Sequence, residues 1–191
     1  YGDLNGQNTC ATGGTIDVGG TYTCSFTATV SANSAFSETD VVTATVSDND
    51  GNTADDSDDA TVEITDVLPS IVVTKTADPT SMPEPGGVVT FSVSIENTSV
   101  ETVTVDSLID SIYGDLNTQG DCTVPQTIAA GGSYSCSITE FVSGNAGDVV
   151  NNVLTVGGTD DDGNPVGGTD DADVTINDVP SSILTTKTAN P

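Results

Sequence analysis

Acidic side chains are this chain's most concentrated chemistry. Asp48-Asn49-Asp50-Gly51-Asn52 is followed after two residues by Asp55-Asp56-Ser57-Asp58-Asp59, and Asp160-Asp161-Asp162-Gly163-Asn164 is followed after five by Asp170-Asp171-Ala172-Asp173. Carboxylates this close repel one another, and a hard divalent cation relieves that repulsion while supplying ligand energy. Ca2+ accepts roughly six to eight oxygens in flexible geometry, which suits Asp and Asn at alternating positions with Gly at the turn. The pattern opens like an EF-hand loop, but the closing Glu and the flanking helices are missing, so the EF-hand reading is rejected. Two plainer explanations compete: a solvated hairpin that discourages edge pairing, or surface acids adapted to high salt. Asp48, Asp50, Gly51, Asn52, Asp58 and Asp59 all recur one period later, while Asp55 and Asp56 become Gly167 and Gly168.

Four cysteines carry the second chemistry. Cys10 and Cys24 bracket a segment whose spacing Cys122 and Cys136 repeat. A zinc site would need further Cys or His close by, and the chain has no His. One structural disulfide per module is the better reading. Closing a loop of this length is worth about 3 kcal/mol in the chain-entropy model, and it places the protein outside a reducing cytosol.

The only basic residues, Lys75 and Lys187, occupy the same place in Thr74-Lys75-Thr76 and Thr186-Lys187-Thr188. An ion pair with a nearby acid is the ordinary expectation. The sharper alternative is an intramolecular isopeptide bond to an acid or amide on the last strand, where only Asp66 and Asp178 recur. Catalysis has little to build on: there is no His, no Ser beside a credible base, and no Trp to make a sugar platform for paired carboxylates. We therefore expect no enzyme. Asn97-Thr98-Ser99 is a formal glycosylation sequon of low specificity.

The elements that must position these residues follow from an internal repeat. Tyr1-Gly2-Asp3-Leu4-Asn5 returns as Tyr113-Gly114-Asp115-Leu116-Asn117, and residues 1–79 align without a gap on 113–191 with 38 of 79 positions identical. The 112-residue period is that of a sandwich-sized domain and far exceeds solenoid periods. Cut at the linker Asp66-Val67-Leu68-Pro69-Ser70, residues 1–67 read as the later part of one module, 68–179 as a complete module and 180–191 as the first strand of a third. The expectation is a window onto a longer array.

No segment has helical periodicity, and Thr, Val, Ser, Gly and Asp dominate, so all elements are strands or turns. Strands are predicted near Ile71–Thr76, Val89–Ile95, Thr102–Val105, Leu108–Ile112, Tyr134–Val142, Val150–Val156 and around Ala172, Val174 and Ile176. Phe91, Val93 and Ile95 share a face, as do Tyr134, Cys136 and Ile138, and Leu154 with Val156. Tyr22, Cys24 and Phe26 repeat the Tyr134 pattern, and Val42, Ala44 and Val46 repeat that of Leu154 and Val156. About seven strands per period predict an all-β fold of tandem immunoglobulin-like Greek-key sandwiches; a barrel is the other closed option.

In such a sandwich the loop between the last two strands faces the arriving linker. That places Asp66 with Asp160, Asp162, Asn164, Asp170 and Asp171 around Ca2+ at the junction, with Asp48, Asp50, Asn52, Asp58, Asp59 and Asp178 as the corresponding ligands one period away. Glu96 and Asn97 are weaker members at the same end. A formal charge of -27, from 29 acidic and 2 basic residues in 191, excludes nucleic acid and docking on anionic membrane. No apolar run approaches the roughly 20 residues of a membrane span. Disorder is opposed by the short alternating apolar runs and by the clustering of the acids.

The string Cys122-Thr-Val-Pro-Gln-Thr-Ile-Ala-Ala-Gly-Gly-Ser-Tyr-Ser-Cys136, with Asn145-Ala-Gly-Asp148 and Thr159-Asp-Asp-Asp-Gly-Asn-Pro165, resembles the immunoglobulin-like conserved-repeat domains of large bacterial surface proteins. Ser70-Ile-Val-Val-Thr-Lys75-Thr-Ala-Asp-Pro79 extends the resemblance to the start of the complete module. Asn33-Ser-Ala-Phe36 departs from the Asn-Ala-Gly-Asp turn. The resemblance implies long secreted stalks or adhesins of tandem β-sandwich modules, with no catalytic residues. The expected function is a structural module of an extracellular, cell-surface stalk or filament, rigidified by Ca2+ at junctions and one disulfide per module. Its expected partners are neighbouring copies of the repeat and a cell-surface or matrix ligand. An adhesin-type module binding carbohydrate or protein on one sandwich face is the alternative, and a glycosidase accessory domain comes third.

Overall fold

The computed structural model describes residues 1–190, and every regular element among them is a β-strand. Two compact units divide the chain, Tyr1–Asp66 and the residues from Val67 on.

The first unit holds one hairpin, β1 (Phe36–Ser47) and β2 (Thr53–Ile64), paired antiparallel from Phe36↔Ile64 to Ser47↔Thr53. Period-2 alternation puts Phe36, Val42, Ala44 and Val46 on one face. Val42 and Val46 stay 41% and 53% exposed there. The strand expected through Tyr22, Cys24 and Phe26 does not form, and residues 1–35 carry no strand. A strand needs a ladder partner. In the second unit the equivalent segment pairs with residues 86–97, whose repeat counterpart is not among residues 1–66.

The second unit contains β3 (Ile71–Asp78), β4 (Ser81–Pro83), β5 (Gly86–Asn97), β6 (Val103–Asp110), β7 (Gly114–Asp115), β8 (Gln126–Ile128), β9 (Ser133–Ser143), β10 (Val149–Asp160) and β11 (Pro165–Asn177). One sheet runs β3-β5-β9. The other runs β4-β11-β10-β6-β7, with β8 also on β6. Their inner faces enclose one core in which Phe91, Ile95, Leu108, Ile138, Leu154, Val174 and Ile176 are at most 2% exposed. The predicted inward sets on β5, β9, β10 and β11 are the observed ones.

The two short strands predicted at Thr102–Val105 and Leu108–Ile112 are one strand, β6. Its register against β10 shifts between Gly157↔Ser107 and Gly158↔Val105, so Asp106 is bulged. The bulge reverses the parity of the strand, and Val103 and Val105 before it face inward together with Leu108 and Asp110 after it. A broken alternation in sequence was thus an unbroken strand in space.

Residues 180–190 form no strand, contrary to the reading of 180–191 as the first strand of a third module. Ile183 and Leu184 are each 92% exposed. Their equivalents begin β3, which exists because β5 pairs along its whole length; no such partner meets 180–190.

Candidate functional site

The tip between β10 and β11 is built by Asp160. Its Oδ1 accepts the backbone N–H of Asp162 at 3.0 Å and of Asn164 at 2.7 Å, and its Oδ2 accepts the Asn164 side-chain amide at 2.9 Å. Gly163 turns the chain at φ +88°, a conformation that Gly adopts without steric cost. Burial resists ionisation of Asp160, which is 4% exposed, and is the largest single influence. The hydrogen bonds from the Asn164 side chain and from the Asn164, Asp162 and Gly163 backbone together outweigh it, and its pKa falls below the usual carboxylate range. In the first unit Asp48 makes the same bonds to Asp50 and Asn52, and the Asn52 side chain is the main cause of its lowered pKa.

This tip lies at the end of the second unit where the chain arrives. Asp160 is paired with Val103, just beyond the 97–101 turn, and Asn97 is paired with Ile71, the first residue of β3. The Asn97 amide donates to the Glu101 carbonyl at 2.7 Å, and the Ser70 and Thr98 hydroxyls meet at 2.7 Å. Glu101 and Asp162 each bring a carboxylate oxygen within 4.8 Å of the other. Two acids from separate turns therefore converge beside the arriving linker. Glu101 was not among the sequence-selected ligands; only its closeness to Asn97 could have pointed to it.

The rest of the acidic run is strand, not loop. β11 starts at Pro165, and Asp170 and Asp171 pair with Leu154 and Val153. At ~3.3 Å per residue they sit about 17–20 Å along the strand from the tip. Asp58 and Asp59 are likewise mid-strand, opposite Val42 and Val41. The structure thus brings together Asp160 and Asn164, with Asp162 beside Glu101, and leaves Asp170 and Asp171 out. Asp50 is exposed at the first unit's tip, Asp66 ends that unit, and Asp178 is exposed after β11.

Asp170 and Asp171 have other roles. Asp171 and Asp173 accept the Asn151 side-chain amide at 2.6 and 2.8 Å on the outer face. Asp170 turns inward and accepts the Lys75 backbone N–H at 2.6 Å across the sheets. At Gly168 a Cβ would lie 2.8 Å from Val73 of β3, so β11 approaches β3 closely there.

Lys75 reaches Asp110, not a last-strand acid. Its Nζ lies 2.6 Å from Asp110 Oδ2, and both side chains are wholly buried. Burial lowers the Lys75 pKa, and the charges of Asp110, Asp170 and Asp171 oppose that shift without cancelling it. The disulfides are Cys10–Cys24 and Cys122–Cys136, as predicted. Asp121 lies beside the second, whose sulfurs are spent on one another and offer no thiolate to a metal. Asn97 of the sequon is fully buried and donates to the Glu101 and Ile128 carbonyls, so the folded chain presents no amide to a glycan.

No protein-family model matches this chain, and no curated protein matches it. Among the described residues no helix is long and apolar enough to cross a membrane.

Proposed function

We propose that the chain is a structural piece of an extracellular tandem-repeat stalk or filament, with immunoglobulin-like modules stiffened at their joints by Ca2+. The observation that carries this reading is the convergence of Glu101 and Asp162 on the end of the second unit where the linker arrives. The sequence adds Asp66, immediately before Val67, as a linker-borne ligand, and Asp178 repeats it. Two disulfides fit an oxidising compartment. The outward residues of β3, β5 and β9 include Thr74, Thr76, Ser92, Ser94 and Ser135, a hydroxyl face suited to solvent along a rod.

Ca2+ at a hundredfold excess over its Kd should raise the stability of the second unit by roughly 2–3 kcal/mol, read as a higher Tm that chelator reverses. The Glu101→Gln, Asp162→Asn double variant should lose that response. An unchanged wild-type Tm on adding Ca2+ sinks the cation reading.

A further inference from the structure

We propose that Lys75 and Asp110 condense to an intramolecular isopeptide bond that ties the two sheets of the second unit together. The two groups are already in contact, with Nζ 2.6 Å from Oδ2, on β3 of one sheet and β6 of the other. Both side chains are at 0% exposure. The pair sits against the Phe91 ring, whose centroid is 5.2 Å from Nζ and which itself packs on Tyr113 at 5.9 Å.

Three features favour condensation over a resting ion pair. Removal from water penalises both charges, so proton transfer from Nζ to Oδ2 along their hydrogen bond yields a neutral amine facing a neutral acid. Burial already lowers the Lys75 pKa in that direction. The other carboxyl oxygen, Oδ1, accepts the backbone N–H of Ile112 at 2.8 Å and of Tyr113 at 2.9 Å. Two fixed donors on one oxygen are what a tetrahedral intermediate needs when nitrogen adds to Cγ. Asp170, bonded to the Lys75 backbone N–H, is a positioning residue that fixes β3 over the pair.

The step balances without a co-reactant. The Nζ–Cγ bond forms and the Cγ–Oδ2 bond breaks. Oδ2 leaves as water with the two protons that the ammonium gives up, and the amide nitrogen keeps one. A positive and a negative charge disappear together, so net charge is unchanged.

Intact mass of the full chain, unfolded and with both disulfides reduced, tests this. The expected mass is one water below that of the sequence, with the loss mapped by proteolysis to a branched peptide joining the Lys75 and Asp110 segments. Lys75→Arg and Asp110→Ala should each restore the full mass for their sequences. Asp110→Asn should still cross-link, losing ammonia in place of water. A wild-type chain at full sequence mass overturns the proposal, as does a water loss mapped to another site. Neither result touches the cation reading, which rests on different residues.

Discussion

Asp110→Ala should destabilise the second unit by about 3–5 kcal/mol, because it leaves the buried Lys75 ammonium without its partner. Domain stabilities are typically about 5–15 kcal/mol, so one methylene carboxylate then decides much of the fold. Lys75 is held on all sides: its Nζ by Asp110, its backbone N–H by Asp170, its stem between the sheets. Without Asp110, the ammonium must deprotonate or draw water into a core that contains Phe91 at 0% exposure. Replacing both partners with apolar residues, as in Lys75→Met with Asp110→Leu, removes the desolvation penalty together with the attraction and should recover most of the non-covalent loss. What the double variant fails to recover measures the cross-link. Denaturant unfolding of the three proteins gives the comparison; a single variant within about 0.5 kcal/mol of the wild type would show that the pair carries no weight.

Removing the Cys122–Cys136 disulfide should cost about 3 kcal/mol by the chain-entropy account. Cys122 lies at 0% exposure at the end of the 116–122 turn, and Cys136 is on β9, an edge strand of the smaller sheet, paired with Val93 of β5. The bond therefore holds a strandless segment to a strand. The consequence should be larger in the first unit, where residues 1–35 form no strand and the other ties between the two cysteine segments are exposed contacts, such as the Thr9 N–H to the Ser25 carbonyl at 3.2 Å and the Ala11 N–H to the Tyr22 hydroxyl at 2.7 Å. Reduction should make residues 1–35 the first target of limited proteolysis, while the second unit remains folded but less stable. Equal resistance in reduced and oxidised protein would contradict this.

The sequence was legible wherever a local rule acts alone. Alternation assigned the inward faces of β5, β9 and β11, and the equal spacing of two cysteine pairs gave their connectivity. Legibility failed where a distant strand decides. Asp170 and Asp171 looked like loop ligands because they follow the Asp160 turn closely, yet backbone pairing with β10 stretches that run into a strand. Asp110 was not marked by recurrence, because residues 1–66 include no counterpart of it, and the bulge at Asp106 disguises its inward parity. Tyr22, Cys24 and Phe26 have the right pattern for a strand but no ladder to join. Pattern states which face a residue would take; only a partner decides whether the strand exists.

The acidic tip shows both kinds of information at once. Asp160 and Asn164 are local, and their bonds fix the turn without any ion. Asp162 and Glu101 belong to turns 61 residues apart in sequence and meet only because β6 and β10 pair at Val103 and Asp160. Their approach concentrates negative charge in a chain already at -27, and a divalent cation there would relieve it at the end of the second unit where the chain arrives.

Bending stiffness is the quantity on which the mechanical account stands. Electron micrographs of arrays of this repeat, traced in Ca2+ and again after chelation, should show a persistence length that drops on chelation and returns when Ca2+ is restored. Tracings that are equally stiff, or equally flexible, in both conditions would contradict it.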